Sequence, residues 1–216
     1  MDQPRARARV MTAAELFDAI GAGYEDAFGR PPILAGAIRA ITQRLRPGAR
    51  VLDIGSGTGK PVAEELSRAG YEVVGLDVSA VMVELARERV PRATFQHADV
   101  RNWSSPPASW DAVCAFFPFL QMSRADTAAT LHRVAGWLVP GGTLALVTVP
   151  MDVENLPVPF LGHQVRITSF ATADLLHVIE RAGLEVTATR SETFHPDRAG
   201  QPAEEHLLVL ARNPEQ

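Results

Sequence analysis

The sequence predicts an α/β fold with a doubly wound, mostly parallel sheet. From residue 50 onward, short apolar strands alternate with amphipathic helices. An aspartate stands at the end of each of the first three strands, and residues 143–149 form a continuous run typical of a strand buried on both faces of a parallel sheet. A chain of 216 residues can enclose one such core without disulfides, so we expect a single domain.

The composition favours a globular protein of the cytoplasm. Hydrophobic residues make up 46% and charged residues 21%, and the net charge of -4 gives no general attraction to nucleic acid or to an anionic membrane. The single cysteine, Cys114, excludes an intramolecular disulfide and is expected to be buried. No apolar stretch approaches the ~20 residues that a membrane helix needs. We therefore expect neither nucleic acid nor a membrane as partner, and a monomer or homodimer.

Two helices are predicted before the first strand. Residues 1–10 carry three arginines and are expected to form a frayed tail, with a nucleic-acid arm as the alternative. Thr12 and Glu15 predict a capping box at the start of a helix over 12–28. A second helix is expected over 33–45. Both helices can pack on the sheet or cover a ligand crevice.

A glycine turn joins the first strand, residues 50–54, to a helix predicted over 58–69. Glycines permit positive φ and let backbone N–H groups approach an anionic ligand at a helix start. The spacing is G-x-G-x-G, whereas a dinucleotide site has G-x-G-x-x-G. Asp53 adds a negative charge that repels phosphate and attracts ammonium. The methionine end of S-adenosylmethionine satisfies both features, and a plain turn with Asp53 as a helix cap is the alternative.

Further candidates follow the next two strands. Asp77 ends the strand over 72–76, where a carboxylate can accept hydrogen bonds from both hydroxyls of a ribose. Met82, in the next helix, can contact an adenine face or fill the core. Asp99 follows the strand over 93–97 and can accept a hydrogen bond from an adenine amino group or cap a loop.

The second half of the chain continues the alternation. A strand over 110–115 leads into an aromatic cluster, Phe116 to Leu120, which is expected to line a pocket. Residues 151–170, with two prolines, are expected to form a functional loop or lid. The other predicted elements are a helix over 124–138, a strand over 143–149, a helix over 170–182, strands over 184–193 and 206–211, and a turn over 196–202.

Taken together, VLDIGSGTG, GLDVS, HADV and LVPGGTLAL resemble the class I S-adenosylmethionine-dependent methyltransferases, strongly from Arg50 to Val149 and more loosely beyond. The resemblance implies a Rossmann-like sheet of seven strands in the order 3-2-1-4-5-7-6, with the last strand antiparallel and helices on both faces. It also implies S-adenosyl-L-methionine as cofactor. Within one domain, 1–216, we expect a helical cap (1–47), a cofactor-binding core (48–150) and a lid loop with a strand pair (151–216).

The resemblance carries roles to individual residues. It assigns Asp53 and Gly55 to the methionine end of the cofactor, Asp77 to the ribose and Asp99 to the adenine. Tyr24, in the stretch AGYEDAF, would close over the sulfonium, although a half-exposed helix tyrosine is the alternative. The expected cofactor-binding residues are Tyr24, Asp53, Gly55, Ser56, Gly57, Gly59, Asp77, Val78, Met82, Asp99, Val100 and Phe116.

The segment after the fourth strand indicates the acceptor. Residues 115–119 read AFFPF, where adenine- and amide-directed members of the family carry N/D-P-P-Y/F. We therefore expect methyl transfer to an O or N atom of a small, largely apolar metabolite of secondary metabolism, without a metal ion. His163 is the candidate base and His195 the second candidate, each with an ordinary surface histidine as the alternative. The remaining histidines are expected to be structural or exposed: His97, His132, His177 and His206.

Two other functions compete with methyl transfer. A nicotinamide oxidoreductase is disfavoured by the glycine spacing and by Asp53. A protein that keeps the fold and the cofactor but catalyses cyclisation, or only binds a partner, is left open by the sequence.

Overall fold

The computed structural model of the chain describes residues 9–28, 31–195 and 203–215. The rest of the predicted tail and the predicted turn over 196–202 lie outside the described residues. The helices are α1 (Ala13–Ile20), α2 (Gly23–Phe28), α3 (Pro32–Thr42), α4 (Val62–Arg68), α5 (Ala80–Arg89), α6 (Arg124–Trp137) and α7 (Thr172–Arg181), with a 3₁₀ turn at Pro118–Gln121. The strands are β1 (Arg50–Ile54), β2 (Glu72–Asp77), β3 (Thr94–His97), β4 (Trp110–Phe116), β5 (Leu138–Thr148), β6 (Val153–Phe160), β7 (His163–Ser169), β8 (Glu185–Phe194) and β9 (Glu204–Arg212).

Seven strands form the central sheet in the order β3-β2-β1-β4-β5-β9-β8. The strands β1 to β5 pair in parallel, and β9 runs antiparallel to both β5 and β8. Because β6 and β7 form a separate two-stranded sheet, the order of the seven strands along the chain is the predicted 3-2-1-4-5-7-6. The Rossmann-like fold and its single antiparallel strand are confirmed.

The register defines one edge of the sheet, called the carboxyl edge here, where the parallel strands end. Asp53 lies beside Cys114 of β4, and Asp77 of β2 lies beside His97. Since β9 runs in the opposite direction, its first residues reach the same edge, and Leu207 pairs with Thr148 at the end of β5. Acidic and aromatic residues from five strands therefore converge on this edge.

Helices cover both faces of the sheet, as the alternating pattern predicts. Apolar residues of α3, α4 and α5 pack on one face, and those of α6 and α7 pack on the other. The strand β4 is buried from Trp110 to Ala115 apart from a partly exposed Asp111, and Cys114 is buried as expected. No helix within the described ranges is long and apolar enough to cross a bilayer.

The N-terminal segment forms two helices where the sequence predicts one. The capping box of Thr12 and Glu15 is present, but the chain breaks at Gly21, whose φ is +50°. Asp18 of α1 accepts hydrogen bonds from the Ser79 hydroxyl (2.6 Å) and from the Val81 backbone N–H (3.2 Å) at the start of α5. These bonds place α1 over the carboxyl edge, so we refer to α1 and α2 as the helical cap.

Two further elements differ from the sequence-based expectation. The segment expected to be a lid loop is the antiparallel hairpin β6–β7, in which Pro157 pairs with Arg166 and Pro159 with Gln164. The helix after the glycine turn begins at Val62 and not at residue 58. The division of the chain into cap, core and C-terminal part stays a prediction.

Candidate functional site

The glycine turn is fixed to the end of β2 by its own backbone. The N–H groups of Gly55 and Ser56 donate to the Leu76 carbonyl at 2.8 and 2.9 Å, and the Gly57 N–H donates to Asp77 Oδ2 at 2.8 Å. These three N–H groups are therefore not free to serve an anion, and contacts of Gly55, Ser56 and Gly57 with a cofactor stay a prediction. The three N–H groups orient the turn and Asp77, because each already has an acceptor within the protein.

Gly55 and Gly59 are the two positions in this turn where a Cβ would overlap with neighbouring atoms. The φ of Gly55 is +71°, and a Cβ there would lie 2.6 Å from the Cβ of Pro118. By contrast, a Cβ on Gly59 would approach Val90 and Phe95 at 2.9 and 3.0 Å. Gly55 thus allows the turn to approach the segment after β4, whereas Gly59 allows close packing against α5 and β3.

Gly55→Ala is expected to destabilise the protein by about 1–3 kcal/mol more than Gly183→Ala does. Both glycines have positive φ, but the space around Gly183 is open, so the difference isolates the overlap with Pro118. Urea denaturation followed by circular dichroism measures both free energies of unfolding. Equal losses in the two variants would show that the turn and Pro118 can separate at no cost.

Asp53 is a buried carboxyl group with an unpaired oxygen. The residue is 2% exposed, and its Oδ2 has no hydrogen-bond partner among the described residues. Burial raises the pKa of Asp53 to about 8, and the nearby charge of Asp77 adds to this increase. The buried hydroxyl of Ser56 likewise lacks a partner within the described ranges. A bound ammonium group would pair with Asp53 and remove the penalty for its charged form.

Asp77 is held in a defined orientation by two backbone N–H groups. Its Oδ1 accepts from Ser79 and its Oδ2 from Gly57, both at 2.8 Å. Burial raises the pKa of Asp77, and these backbone hydrogen bonds oppose the increase. Each carboxylate oxygen has two lone pairs, so each retains an acceptor position. Two parallel acceptor positions fit the vicinal hydroxyls of a ribose.

Asp99 differs from the other two acids because Arg101 already occupies its carboxylate. The Arg101 Nε lies 3.0 Å from both oxygens, its Nη2 lies 2.6 Å from Oδ2, and its backbone N–H donates to Oδ1 at 2.9 Å. The Arg101 side chain holds the pKa of Asp99 below its usual value. The contact between Asp99 and an adenine amino group stays a prediction, and it requires Arg101 to share or release this carboxylate.

The helical cap brings Tyr24 to the same site. Burial raises the pKa of Tyr24 to about 12, with further contributions from the charges of Asp77 and Glu204. Its ring also packs edge-on against Phe17 at 5.5 Å between centroids. The adjacent Glu25 accepts hydrogen bonds from Thr58 of the glycine turn and from Arg89 of α5. The cap is thereby joined to the turn that follows β1.

The other predicted site residues lie around this centre. Val78 offers its carbonyl to His97 Nε2 at 3.1 Å. Met82 and Val100 are buried, at 1% and 8% exposure, and Phe116 ends β4 partly buried. The cofactor contacts of these residues stay predictions.

The two candidate bases lie on different elements. His163 directly follows the Leu161–Gly162 turn of the β6–β7 hairpin and is partly buried, whereas His195 follows β8 and is exposed. The chain before α1 holds the hairpin, because the Met11 N–H donates to the Gln164 carbonyl at 2.9 Å.

Sequence reasoning missed a cluster at the start of β9, called the histidine cluster here: His206, Glu204, Phe117 and Phe194. His206 is 3% exposed, and its ring stacks on Phe194 at 4.8 Å and meets Phe117 edge-on at 4.9 Å. Its Nε2 lies 3.4 Å from Glu204 Oε2. Alternation along β9 puts residues 204 and 206 on one face, and the predicted antiparallel direction puts them at the carboxyl edge. These two signals together could have found the cluster.

Phe117 has an uncommon backbone conformation for a bulky residue. Its φ is +63°, and its N–H donates to the Val147 carbonyl at 2.7 Å. Such conformations cost about 1–3 kcal/mol and cluster at functional sites. This one turns the chain after β4 and directs the Phe117 ring onto His206. Within the described parts of the chain, no group of three or more His, Cys, Asp or Glu side chains could hold a metal ion.

Comparison with known proteins agrees with this geometry. A family model described as a methyltransferase domain matches residues 51–142. The dTDP-3-amino-3,6-dideoxy-alpha-D-glucopyranose N,N-dimethyltransferase of Streptomyces fradiae is 30% identical over 204 residues, which cover 91% of this chain and 77% of the relative. Methyltransferase GfsG of Streptomyces halstedii is 33% identical over 196 residues, which cover 81% and 70% of the two chains. The chain spans about half the length of other curated methyltransferases that it matches, 47% and 46% in two cases.

Solved structures show the same fold. The cyclase SpnF superposes with a TM-score of 0.73 at 18% identity and covers 98% of this chain and 100% of its own. The DhpI–SAH complex superposes with a TM-score of 0.68 at 23% identity and covers 94% and 95% of the two chains. At these identities the likeness concerns the fold alone.

Proposed function

Because the chain belongs to the class I S-adenosylmethionine-dependent methyltransferases, we propose that it transfers the cofactor's methyl group to an oxygen or nitrogen atom of a small, largely apolar acceptor. One observation carries this proposal: Asp53 and Asp77 lie at the ends of the neighbouring strands β1 and β2. Asp53 has an unpaired buried oxygen among the described residues. Each oxygen of Asp77 accepts one backbone N–H and keeps a second lone pair for a ligand. These features fit the ammonium group and the ribose of one ligand.

The residues of the carboxyl edge divide the binding of the cofactor among them. Asp53 would pair with the ammonium group, and Asp77 would accept from the ribose hydroxyls. Asp99 and Met82 would contact the adenine, and Tyr24 would lie on the sulfonium side. The bound cofactor supplies a methyl group on a positively charged sulfur, whose leaving group departs neutral and needs no acid.

The chain's own contribution to the rate is then alignment and the exclusion of water. Positioning of two reactants is worth up to ~7–11 kcal/mol in favourable cases. The helical cap provides such a cover, since Asp18 holds it to α5 and Glu25 holds it to the glycine turn. A base is needed only for a poorly acidic hydroxyl or a protonated amine.

Aromatic residues support an acceptor with an apolar body. Phe116 and Phe117 leave β4 at the carboxyl edge, and Phe194 reaches the same edge from β8. The Streptomyces fradiae relative is named for an amino sugar, which supports nitrogen as one acceptor atom. The cytoplasmic location and the oligomeric state stay predictions.

The test is an assay for S-adenosylhomocysteine with the full chain, S-adenosylmethionine and a panel of phenols, alcohols and amines. We expect acceptor-dependent S-adenosylhomocysteine and a product heavier by one methyl group in mass spectrometry. The alternative is cyclisation or binding alone, with which the fold of the cyclase SpnF is compatible. Tight cofactor binding without S-adenosylhomocysteine from any acceptor would favour that alternative.

His163 remains the proposed base, because its hairpin packs beside the 3₁₀ turn that follows β4. His163→Ala is expected to lower kcat by ~10²-fold or more, with unchanged affinity for S-adenosylmethionine. The exposed His132 of α6 offers a matched control, since His132→Ala should leave kcat unchanged. Steady-state kinetics with any acceptor from the panel measures both variants. An unchanged kcat in His163→Ala would leave alignment as the main source of rate.

A further inference from the structure

Glu204 is a negative charge on the acceptor side of the carboxyl edge. It begins β9, which reaches this edge because it runs antiparallel to β5. The charges of Glu204 and Asp77 both act on Tyr24. Glu204 is therefore within electrostatic reach of the residue proposed to lie on the sulfonium side of the cofactor.

The Glu204 carboxylate is both accessible and oriented. Its side chain keeps 32% of its surface exposed, so a ligand can reach it, whereas the His206 side chain is only 4% exposed. The His206 Nε2 lies 3.4 Å from Glu204 Oε2, and the His206 ring is held between Phe194 and Phe117. The buried imidazole of His206 thus restricts the position of one carboxylate oxygen of Glu204.

Within the described parts of the chain, Glu204 has no arginine or lysine partner. An acid of the neighbouring strand, Glu192, pairs with His206 in the register of β8 and β9. The Arg190 Nη2 lies 3.3 Å from Glu192 Oε2. Among the described residues, the ion pair recorded for Glu204 is the one with His206. A positively charged group on a ligand would therefore form an ion pair with the Glu204 carboxylate.

Aromatic rings lie close to the pair formed by Glu204 and His206. Phe194 lies directly opposite Glu204 in the register of β8 and β9, and the Phe117 ring meets the His206 ring edge-on. Tyr24, in the helical cap, is close enough for the Glu204 charge to contribute to its raised pKa. Aromatic faces beside a carboxylate form a site that attracts an ammonium group with an apolar substituent.

We propose that Glu204, positioned by His206, is the specificity-determining residue that selects an amine with an apolar body as the methyl acceptor. The inference rests on the proposed methyl transfer and narrows its acceptor to the amines, which bind as ammonium ions at Glu204. The proposed base, His163, takes one proton from the ammonium ion, and the nitrogen lone pair then attacks the methyl carbon as the sulfur leaves neutral. Hydroxyl compounds of the same shape lack this charge and bind more weakly.

The test compares matched amines and alcohols: benzylamine with benzyl alcohol, and 2-phenylethylamine with 2-phenylethanol. The wild type is expected to show a higher kcat/KM for each amine. Glu204→Gln keeps the shape and removes the charge, so it should lower kcat/KM for the amines by about 10- to 100-fold and for the alcohols by less than about threefold. Glu205→Gln is the matched control, because Glu205 is the adjacent exposed residue and should change neither.

The outcomes separate this inference from the proposed function. Affinity for S-adenosylmethionine, measured by calorimetry, should be the same in wild type and Glu204→Gln, which shows that the variant is folded. Methylation of the alcohols in preference to the amines, or an equal loss for both in Glu204→Gln, would overturn the amine assignment and leave methyl transfer standing. A wild type that methylates neither these pairs nor any other acceptor would overturn both.

Discussion

Asp53→Asn is expected to stabilise the cofactor-free protein at pH 8 and to weaken its binding of S-adenosylmethionine. Burial raises the folded-state pKa of Asp53 from the ordinary 3.8 to about 8. A raised pKa means that the folded state holds the proton more tightly than the unfolded state does. Stability from this group is therefore complete below about pH 4 and is lost as the pH rises to about 8.

The size of the effect follows from the pKa difference. At 1.36 kcal/mol per pKa unit, the wild type loses roughly 5 kcal/mol at pH 8 as an upper limit. A buried amide costs about 1–3 kcal/mol where its polar atoms lack partners. The net gain in Asp53→Asn is then roughly 2–4 kcal/mol at pH 8. Near pH 4 the wild type carries no ionisation penalty, so the variant is less stable by the amide cost of about 1–3 kcal/mol.

Urea denaturation of the cofactor-free wild type and variant from pH 4 to pH 8 measures this gain. Asp174→Asn is the control for the same change of side chain, because Asp174 is exposed on α7. A stability difference that stays constant between pH 4 and pH 8 would show that Asp53 is ionised throughout.

The same variant is expected to lose affinity for the cofactor. Removing one partner of a buried ion pair costs about 3–5 kcal/mol, because the other charge is left uncompensated. The dissociation constant for S-adenosylmethionine should therefore rise by ~10²-fold or more. The variant is thus more stable at pH 8 but binds the cofactor less tightly. This is expected of a buried group whose charged form destabilises the free protein and is needed by the ligand.

Asp77→Asn is expected to weaken S-adenosylmethionine binding by about 1–3 kcal/mol, which corresponds to roughly 5- to 150-fold in the dissociation constant. The amide keeps one oxygen acceptor but removes the charge and replaces the second acceptor with a donor. It therefore cannot accept from both hydroxyls of a ribose while it also accepts from Gly57 and Ser79.

A comparison with Asp99 sharpens this prediction. The Asp99 carboxylate already interacts with the Arg101 side chain and backbone, so Asp99→Asn should cost less cofactor affinity than Asp77→Asn. Calorimetric titration measures both, with Asp174→Asn as the reference. Unchanged affinity in Asp77→Asn would remove Asp77 from the cofactor site.

Most of the sheet could be predicted from the sequence because its signals are local. The strand over 50–54 and the helix capped by Ser79 have apolar periodicity and caps that act within a few residues. The strand order came from the resemblance, since no local pattern encodes which strands are neighbours.

The elements predicted wrongly depend on contacts that are distant in sequence. The prolines at 157 and 159 indicated a loop, yet both fit a two-stranded hairpin because an edge strand tolerates a residue without an N–H. The strand was predicted over 143–149, whereas β5 begins at Leu138, where it pairs with Trp110. Gly21 interrupts a helix whose apolar spacing continues on both sides.

In the candidate site, too, residues with local sequence signals could be predicted, and residues that depend on distant contacts could not. Asp53 and Asp77 were found from their positions after strands, and the structure puts them within electrostatic reach of each other. Glu204 and His206 have no motif, and their importance follows only from the direction of β9. The state of Asp99 also depends on a side chain, Arg101, whose orientation the sequence pattern does not determine.

The most direct test of the cofactor site is the number of protons released when S-adenosylmethionine binds. Titration calorimetry at about pH 6.5 in two buffers of different ionisation enthalpy gives this number for the wild type and for Asp53→Asn. Since Asp53 is protonated in the free protein at this pH and must ionise to pair with the ammonium group, the wild type should release about one proton more than the variant. Equal proton release with equal affinity in the two proteins would contradict the assignment of Asp53 to the cofactor.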